Sequence, residues 1–166
     1  MRTIDTLVDG IGRAVAWLTG LIGLITFAVV VLRYGFDEGA IALQESVIYL
    51  HATCFMLGIA YTLQHDEHVR VDIFYSRLDE RGKALVNLSG HVLLLLPSAL
   101  TLLAFSFDYV LASWAILEGS PEVGGIPAMF LLKSLIPIMA TLLALQGIAQ
   151  IARALAVIRR PAGTLG

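Results

Sequence analysis

Charge is scarce in this sequence: only 14% of its 166 residues are Asp, Glu, Lys or Arg, where a soluble domain carries about a quarter. With 58% of its residues apolar, the chain folded in water would leave too much hydrocarbon uncovered, so lipid is the solvent its composition calls for. Cysteine is nearly missing. Cys54 stands alone inside an apolar run, which excludes an intrachain disulfide and a cysteine metal cluster. Basic excess is missing too, since the formal net charge is −2, and a surface that tracks nucleic acid is excluded with it. The sequence offers no cluster of nucleophile, base and orienting group, no phosphate-binding glycine loop and no metal-ligand spacing, so no enzyme activity, metal or cofactor is expected. It also lacks the inverted pair of broken helices that builds a transport site at the bilayer midplane, which argues against carriage of a substrate by this chain alone.

Long apolar runs are what the sequence does have. A helix crossing the hydrocarbon core needs about 20 largely apolar residues, each rising about 1.5 Å. Residues 14–32, 46–64, 84–107 and 134–152 carry no charge, and spans are expected over 14–33, 42–64, 84–107 and 130–152. Asp5 and Asp9 spoil a basic leader and Arg33 with Tyr34 stands where a cleavage site would be, so the first run is expected to be a retained span. Nine of the eleven Lys and Arg residues fall on one side: Arg2, Arg13, Arg70, Arg77, Arg81, Lys83, Arg153, Arg159 and Arg160. The expected fold is an all-α membrane protein of four transmembrane helices in one domain over residues 1–166, with both ends in the cytoplasm. Tyr34, Phe36, Tyr109 and Trp114 fall near the outer interface, where amphipathic rings settle.

Two segments have the pattern of amphipathic helices lying in the membrane plane. Over 3–12, Ile4, Leu7, Val8 and Ile11 form one apolar stripe; over 72–82, Phe74, Tyr75 and Leu78 follow Val71 on one face while Arg77, Asp79, Glu80 and Arg81 take the other. Asp72 is placed to cap the second of these.

Few polar residues fall inside the spans, and each is a candidate because lipid makes it costly. Arg33 and Glu45 lie at the same end of an antiparallel hairpin, where they either pair or snorkel separately to the interface; Lys133 is expected to snorkel. His51 and His91 sit on different helices. They would ligate one b-type haem, which gives the alternative reading of a redox-enzyme anchor, or else make interhelical hydrogen bonds. Gly20, Gly23, Gly58, Ala60 and Gly147 are expected at close helix contacts, Pro97 and Pro137 at kinks, and the cluster from His65 to His68 at a solvated helix end.

A family likeness rests on Arg33 and Tyr34, then Gln44, Glu45, Tyr49, Gly58 and Ala60, then the run from His68 to Asp72. In that order these residues resemble the small permease subunit, DctQ type, of tripartite ATP-independent periplasmic (TRAP) transporters. Gly119 to Glu122, Gly124 to Pro127, and Lys133 resemble the subgroup for mannitol or chloroaromatic compounds. The resemblance implies a division of labour in the bacterial inner membrane. A periplasmic binding protein captures the solute, often an organic acid, and a large permease subunit carries it with coupling ions, usually sodium. The four-helix subunit is then a scaffold partner that takes no part in solute binding, and Arg33, Glu45, Tyr49, Gly58, His68, Asp72 and Lys133 become its candidate structural or subunit-contact residues. Gln44 departs from the pattern, since family members often have a second acid there.

Overall fold

The computed structural model describes residues 2–68 and 72–159. It contains α1 (Arg2–Gly35), α2 (Ile41–Gln64), the four-residue α3 (Asp72–Tyr75), α4 (Glu80–Gly90), a π-helical turn (His91–Leu95), α5 (Leu96–Ala115) and α6 (Met129–Ile158). Four helical runs are long and apolar enough to cross a bilayer: α1, α2, the continuous α4–α5 run and α6. One such helical run lies over each of the four charge-free stretches and extends beyond it.

The π-turn stands where a kink was expected from Pro97. Proline has no N–H to donate to the carbonyl one turn back, and its ring crowds that carbonyl. Widening the helix just ahead of the proline relieves both problems without breaking the span.

Helix α1 lies along α2, α2 along α6, and α6 along the α4–α5 run, so the order across the bundle is first, second, fourth, third span. Within lipid there is little hydrophobic drive for helices to associate, and small side chains that let backbones approach take its place. On α6 the buried positions are largely of this kind, with Ala140, Ala144, Gly147, Ala149 and Ala154 against its neighbours. Gly147 faces Leu95 of the π-turn. Gly12 of α1 faces the ring of Tyr61 so closely that a Cβ would lie 2.7 Å from Tyr61 Cβ. Three glycines expected at helix contacts are not there: nothing lies within 4 Å of where a side chain would start at Gly20, Gly23 or Gly58. Gly20 and Gly23 are exposed, and Gly58 is half-buried beside an open groove between α1 and α2.

The stripe over 3–12 is not a separate flat helix, because it runs unbroken into the first span. Val8 is buried with Ala60 and Leu142, and Ile4 and Ile11 pack against the same cluster, so the bundle covers these three of the stripe's residues while Leu7 stays exposed. The second expected arm is also shorter than 72–82. After α3 the chain turns, and Asp79 caps α4 by accepting from Gly82 N–H at 2.9 Å. The orphan amides of the third span thus draw the capping carboxylate from inside the segment read as one helix. The side chain of Asp72 lies outside what is described.

Spans one, two and three end alike. The amides of Glu38, Glu67 and Glu118 reach back to the carbonyls of Leu32, Thr62 and Ser113, with a left-handed residue just before each: Asp37, Asp66 and Leu117. The closures at Glu67 and Glu118 are six-to-one and that at Glu38 is one residue wider; the left-handed position in such a closure usually employs glycine, and aspartate tolerates it. Leucine does not. At φ 46°, Leu117 holds a strained backbone, so Leu117→Gly is expected to raise stability by about 0.5–1 kcal/mol. The check is a thermal-unfolding shift of the detergent-solubilised protein.

Candidate functional site: two polar clamps

Intramembrane and juxtamembrane polar side chains gather at the two ends of the bundle. At the end opposite the termini they hold the α5–α6 loop. The backward closure at Leu117 turns Glu118 toward α5, where Ser113 Oγ donates to its Oε2 at 2.6 Å. Lys133 Nζ, from the second turn of α6, donates to the same oxygen and sits 4.2 Å over the ring of Tyr109. Lys133 is therefore paired, where snorkelling was expected. Beside it, Trp114 Nε1 donates to Ser134 Oγ at 2.9 Å, and the Trp114 ring meets Phe130 edge-on with centroids 4.6 Å apart.

Glu45 of α2 closes the other side of this loop. One carboxylate oxygen accepts from Ser120 Oγ, and the other accepts from the backbone N–H of Ile126 at 2.6 Å. The two adjacent glycines have separate physical reasons. Gly124 takes φ +81°, which disfavours any side chain, and at Gly125 a Cβ would lie 2.7 Å from Glu45 Oε1. The run from Gly119 to Pro127 is thus shaped to receive a carboxylate from α2.

This arrangement answers the question of Arg33. Among the described residues no ion pair joins it to Glu45, whose oxygens are engaged by the loop. Arg33 is instead exposed in the last turn of α1, where a cation complements the helix dipole. Tyr49, one turn below Glu45, is half-buried, and its hydroxyl has no partner among the described residues.

The Glu118 carboxyl is held below its ordinary pKa of 4.5 by the hydrogen bonds from Lys133 first and Ser113 second. A depressed carboxylate contributes stability above its unfolded pKa and loses it as pH falls through the folded value. Protease nicking of residues 118–127 in detergent is therefore expected to stay constant from neutral pH down to about 4.5 and to rise only in stronger acid. A rise starting near pH 6 would contradict the clamp.

The second clamp is at the end carrying both termini. Arg153 Nη1 of α6 reaches both carboxylate oxygens of Asp5 on α1, at 2.9 and 3.0 Å. Gln150, one turn earlier on α6, donates to the carbonyl of Leu63 at 2.9 Å. From α2, Gln64 Nε2 donates to Asp9 Oδ1 at 3.0 Å, and His65 Nε2 lies 3.5 Å from the same oxygen. Three helices are tied by one network. Burial acts to raise the Asp5 pKa, but the hydrogen bonds and charge of Arg153 outweigh it and hold the carboxyl below its usual 3.8.

This clamp was missed in the sequence, although it left a trace. Gln146, Gln150 and Arg153 recur at i, i+4 and i+7 on an otherwise apolar helix, as Asp5 and Asp9 do on α1. His65 belongs to it, its Nδ1 lying 3.0 Å from the Tyr61 carbonyl, while His68 is exposed. Among the described residues no three His, Cys, Asp or Glu side chains converge to hold a metal ion.

The haem geometry does not form. His51 is exposed on the outward face of α2, while His91 lies in the π-turn of the third span, on the far side of α6 from α2. Histidines so placed do not meet across one porphyrin.

Residues 22–157 match the family model for tripartite ATP-independent periplasmic transporters, DctQ component. The chain belongs to this family. Being a DctQ-family chain with four bilayer-length helices, it is a multi-pass protein of the inner membrane. It is similar to a TRAP transporter small permease protein of Haemophilus influenzae, with 26% identity over 107 residues, 63% of this chain and 66% of the relative. It is also similar to the C4-dicarboxylate TRAP transporter small permease protein DctQ of Vibrio cholerae, with 25% identity over 100 residues, 60% of this chain and 40% of the relative. The matched stretch thus spans just under two thirds of one relative and two fifths of the other. In this DctQ-family chain the family match takes in α2, the α5–α6 loop and Lys133, so the whole loop clamp lies within it. The Asp5 side of the terminal clamp lies before it.

Proposed function

We propose that this chain is the non-transporting small subunit of a TRAP-type transporter, bound in the membrane to a large permease subunit that works with a periplasmic binding protein. Family membership supports the transporter, and the use of polar side chains supports the division of labour. The ionic groups of the two clamps, Glu45, Glu118, Lys133, Asp5 and Arg153, are engaged in joining one part of the chain to another. None of them is left in the span interior to line a path for a solute or an ion. The observation that carries the reading is this consumption of charge within the clamps.

Both termini are read as cytoplasmic from the lysine and arginine asymmetry, which puts the loop clamp on the periplasmic side. The solute is read as an organic anion, the class to which the C4-dicarboxylate of the Vibrio relative's name belongs. Uptake is ion-coupled through the large subunit, and solute choice belongs to the binding protein.

The test is purification of the tagged chain from its native membrane in mild detergent, with partners identified by mass spectrometry. A polytopic permease much larger than this chain is expected in stoichiometric amount. A chain recovered alone under conditions that keep other inner-membrane complexes intact would overturn the reading.

A further inference from the structure

The clamps engage Glu45, Glu118, Lys133, Asp5, Asp9 and Arg153, but not His51. It stands at the tenth position after Ile41 in the 24-residue α2, about 15 Å along the helix and close to its centre. Its side chain is exposed, on the outward face of the helix. No hydrogen bond within the described chain engages it, whereas the outward hydroxyls of Thr26 and Thr141 return theirs to their own helix at 2.7 Å each. An imidazole in the middle of a span ordinarily faces a bundle interior or a water-filled cavity, because hydrocarbon offers it no partner. On this chain it faces neither.

The surface around His51 is shaped to be covered. Phe55 and Gly58 follow it at i+4 and i+7 on the same face. From there an apolar groove of about 580 Å³ runs between α1 and α2, with Ala16 and Thr19 on its other wall. Gly23 continues that wall one turn beyond Thr19, and like Gly58 it has nothing within 4 Å. The groove is preformed. Its walls are fixed by the close approach of Gly12 to Tyr61 and by the Thr19 Oγ1 to Cys54 Sγ contact at 3.6 Å. The other end of the row differs: exposed positions from Val92 to Phe107 carry hydroxyls but no titratable side chain, as lipid requires.

We propose that the α1–α2 groove is the docking face for one transmembrane helix of the large permease, and that this helix supplies a hydrogen-bond partner to His51. Open glycines let a second backbone approach closely, and the imidazole then lies inside the completed bundle. Polar complementarity distinguishes this occupant from a lipid chain, which fills an apolar groove but leaves the ring unpartnered. The proposal rests on the small-subunit reading and adds the face by which the subunit is held.

The test uses the whole transporter in its membrane, with a photo-crosslinking benzoylphenylalanine placed singly at Ile48 or Phe55, flanking His51, or at Leu93 or Phe105 on the opposite face. Adducts to the co-purifying permease are expected at 48 and 55 and not at 93 and 105. Permease adducts at 93 and 105 instead, adducts at 48 and 55 only to a second copy of this chain, or no protein adduct at 48 and 55 while the permease still co-purifies would each overturn the docking face and leave the small-subunit reading standing. Loss of co-purification in the unmodified complex would instead sink that reading. In the same membranes, His51→Leu is expected to weaken permease retention roughly three- to fifteen-fold, and His51→Gln, which keeps a donor and an acceptor, to restore most of it. Equal retention by wild type and His51→Leu would contradict the role given to the imidazole.

Discussion

Replacing Glu45 with alanine is expected to release the α5–α6 loop while leaving the four helices folded. The carboxylate accepts from Ser120 Oγ and from the Ile126 amide, and hydrogen bonds to a charged group contribute about 1.5–3 kcal/mol each. Loss of this acceptor is expected to speed hydrogen exchange at the Ile126 amide about 10- to 100-fold. Glu45→Gln keeps an oxygen for Ile126 and is expected to fall between. Helix content is expected to stay unchanged, because Glu45 lies at an end of α2 and outside its buried positions. Solute uptake by the assembled transporter is expected to fall with loop order. Unchanged exchange at Ile126 in Glu45→Ala would show that the loop holds its shape without α2.

The second large effect is expected at the other clamp. Arg153→Leu leaves the Asp5 carboxylate, about three quarters covered, without its cation. Breaking a fully buried pair costs about 3–5 kcal/mol, but both partners here keep some contact with solvent and are partly screened, so about 1–2 kcal/mol is expected. The damage should be local at first. The start of α1 is expected to detach from α6, exposing Val8 and Ile4, before the spans separate. Asp5→Asn should cost less, since it removes the charge and leaves an amide oxygen for Arg153. Accessibility of a cysteine placed at Val8 reads the detachment, and unchanged labelling in Arg153→Leu would contradict the clamp.

The four spans were legible in the sequence because lipid imposes a simple length requirement on uncharged runs, and the runs at 14–32, 46–64, 84–107 and 134–152 meet it. Helix ends were less legible. A charged residue marks where a run stops being apolar, not where hydrogen bonding stops, so α1 and α6 run on through Arg33 and Arg153. The amphipathic stripe at 3–12 was identified correctly as a stripe, but periodicity does not say whether lipid or protein covers it. Protein covers Val8, Ile4 and Ile11 and leaves Leu7 exposed.

Among the site residues, Glu45 and Lys133 were picked out by their cost in lipid, yet both were given the wrong surroundings. Their partners Ser113, Glu118, Ser120 and the Ile126 amide come from a loop whose path depends on the left-handed Leu117, and nothing in local sequence announces a leucine in that conformation. Gly58 was expected at a contact within the chain and instead borders an open groove between α1 and α2. Spacing alone reveals a small residue on a helix face, and which neighbour uses that face depends on the order of the spans. Gln146, Gln150 and Arg153 were readable at helical spacing and went unread, because glutamine raises less alarm than charge in an apolar run.

The central claim is that the ionisable groups of this chain hold it together and complete a partner's bundle, leaving none to conduct a solute. Its most direct test is uptake of radiolabelled organic acids, C4-dicarboxylates included, into proteoliposomes under an inward sodium gradient, with the periplasmic binding protein outside. Vesicles holding this chain alone are predicted to match protein-free vesicles, and uptake to appear only when the large permease is reconstituted with it. Accumulation by the chain alone would contradict the account.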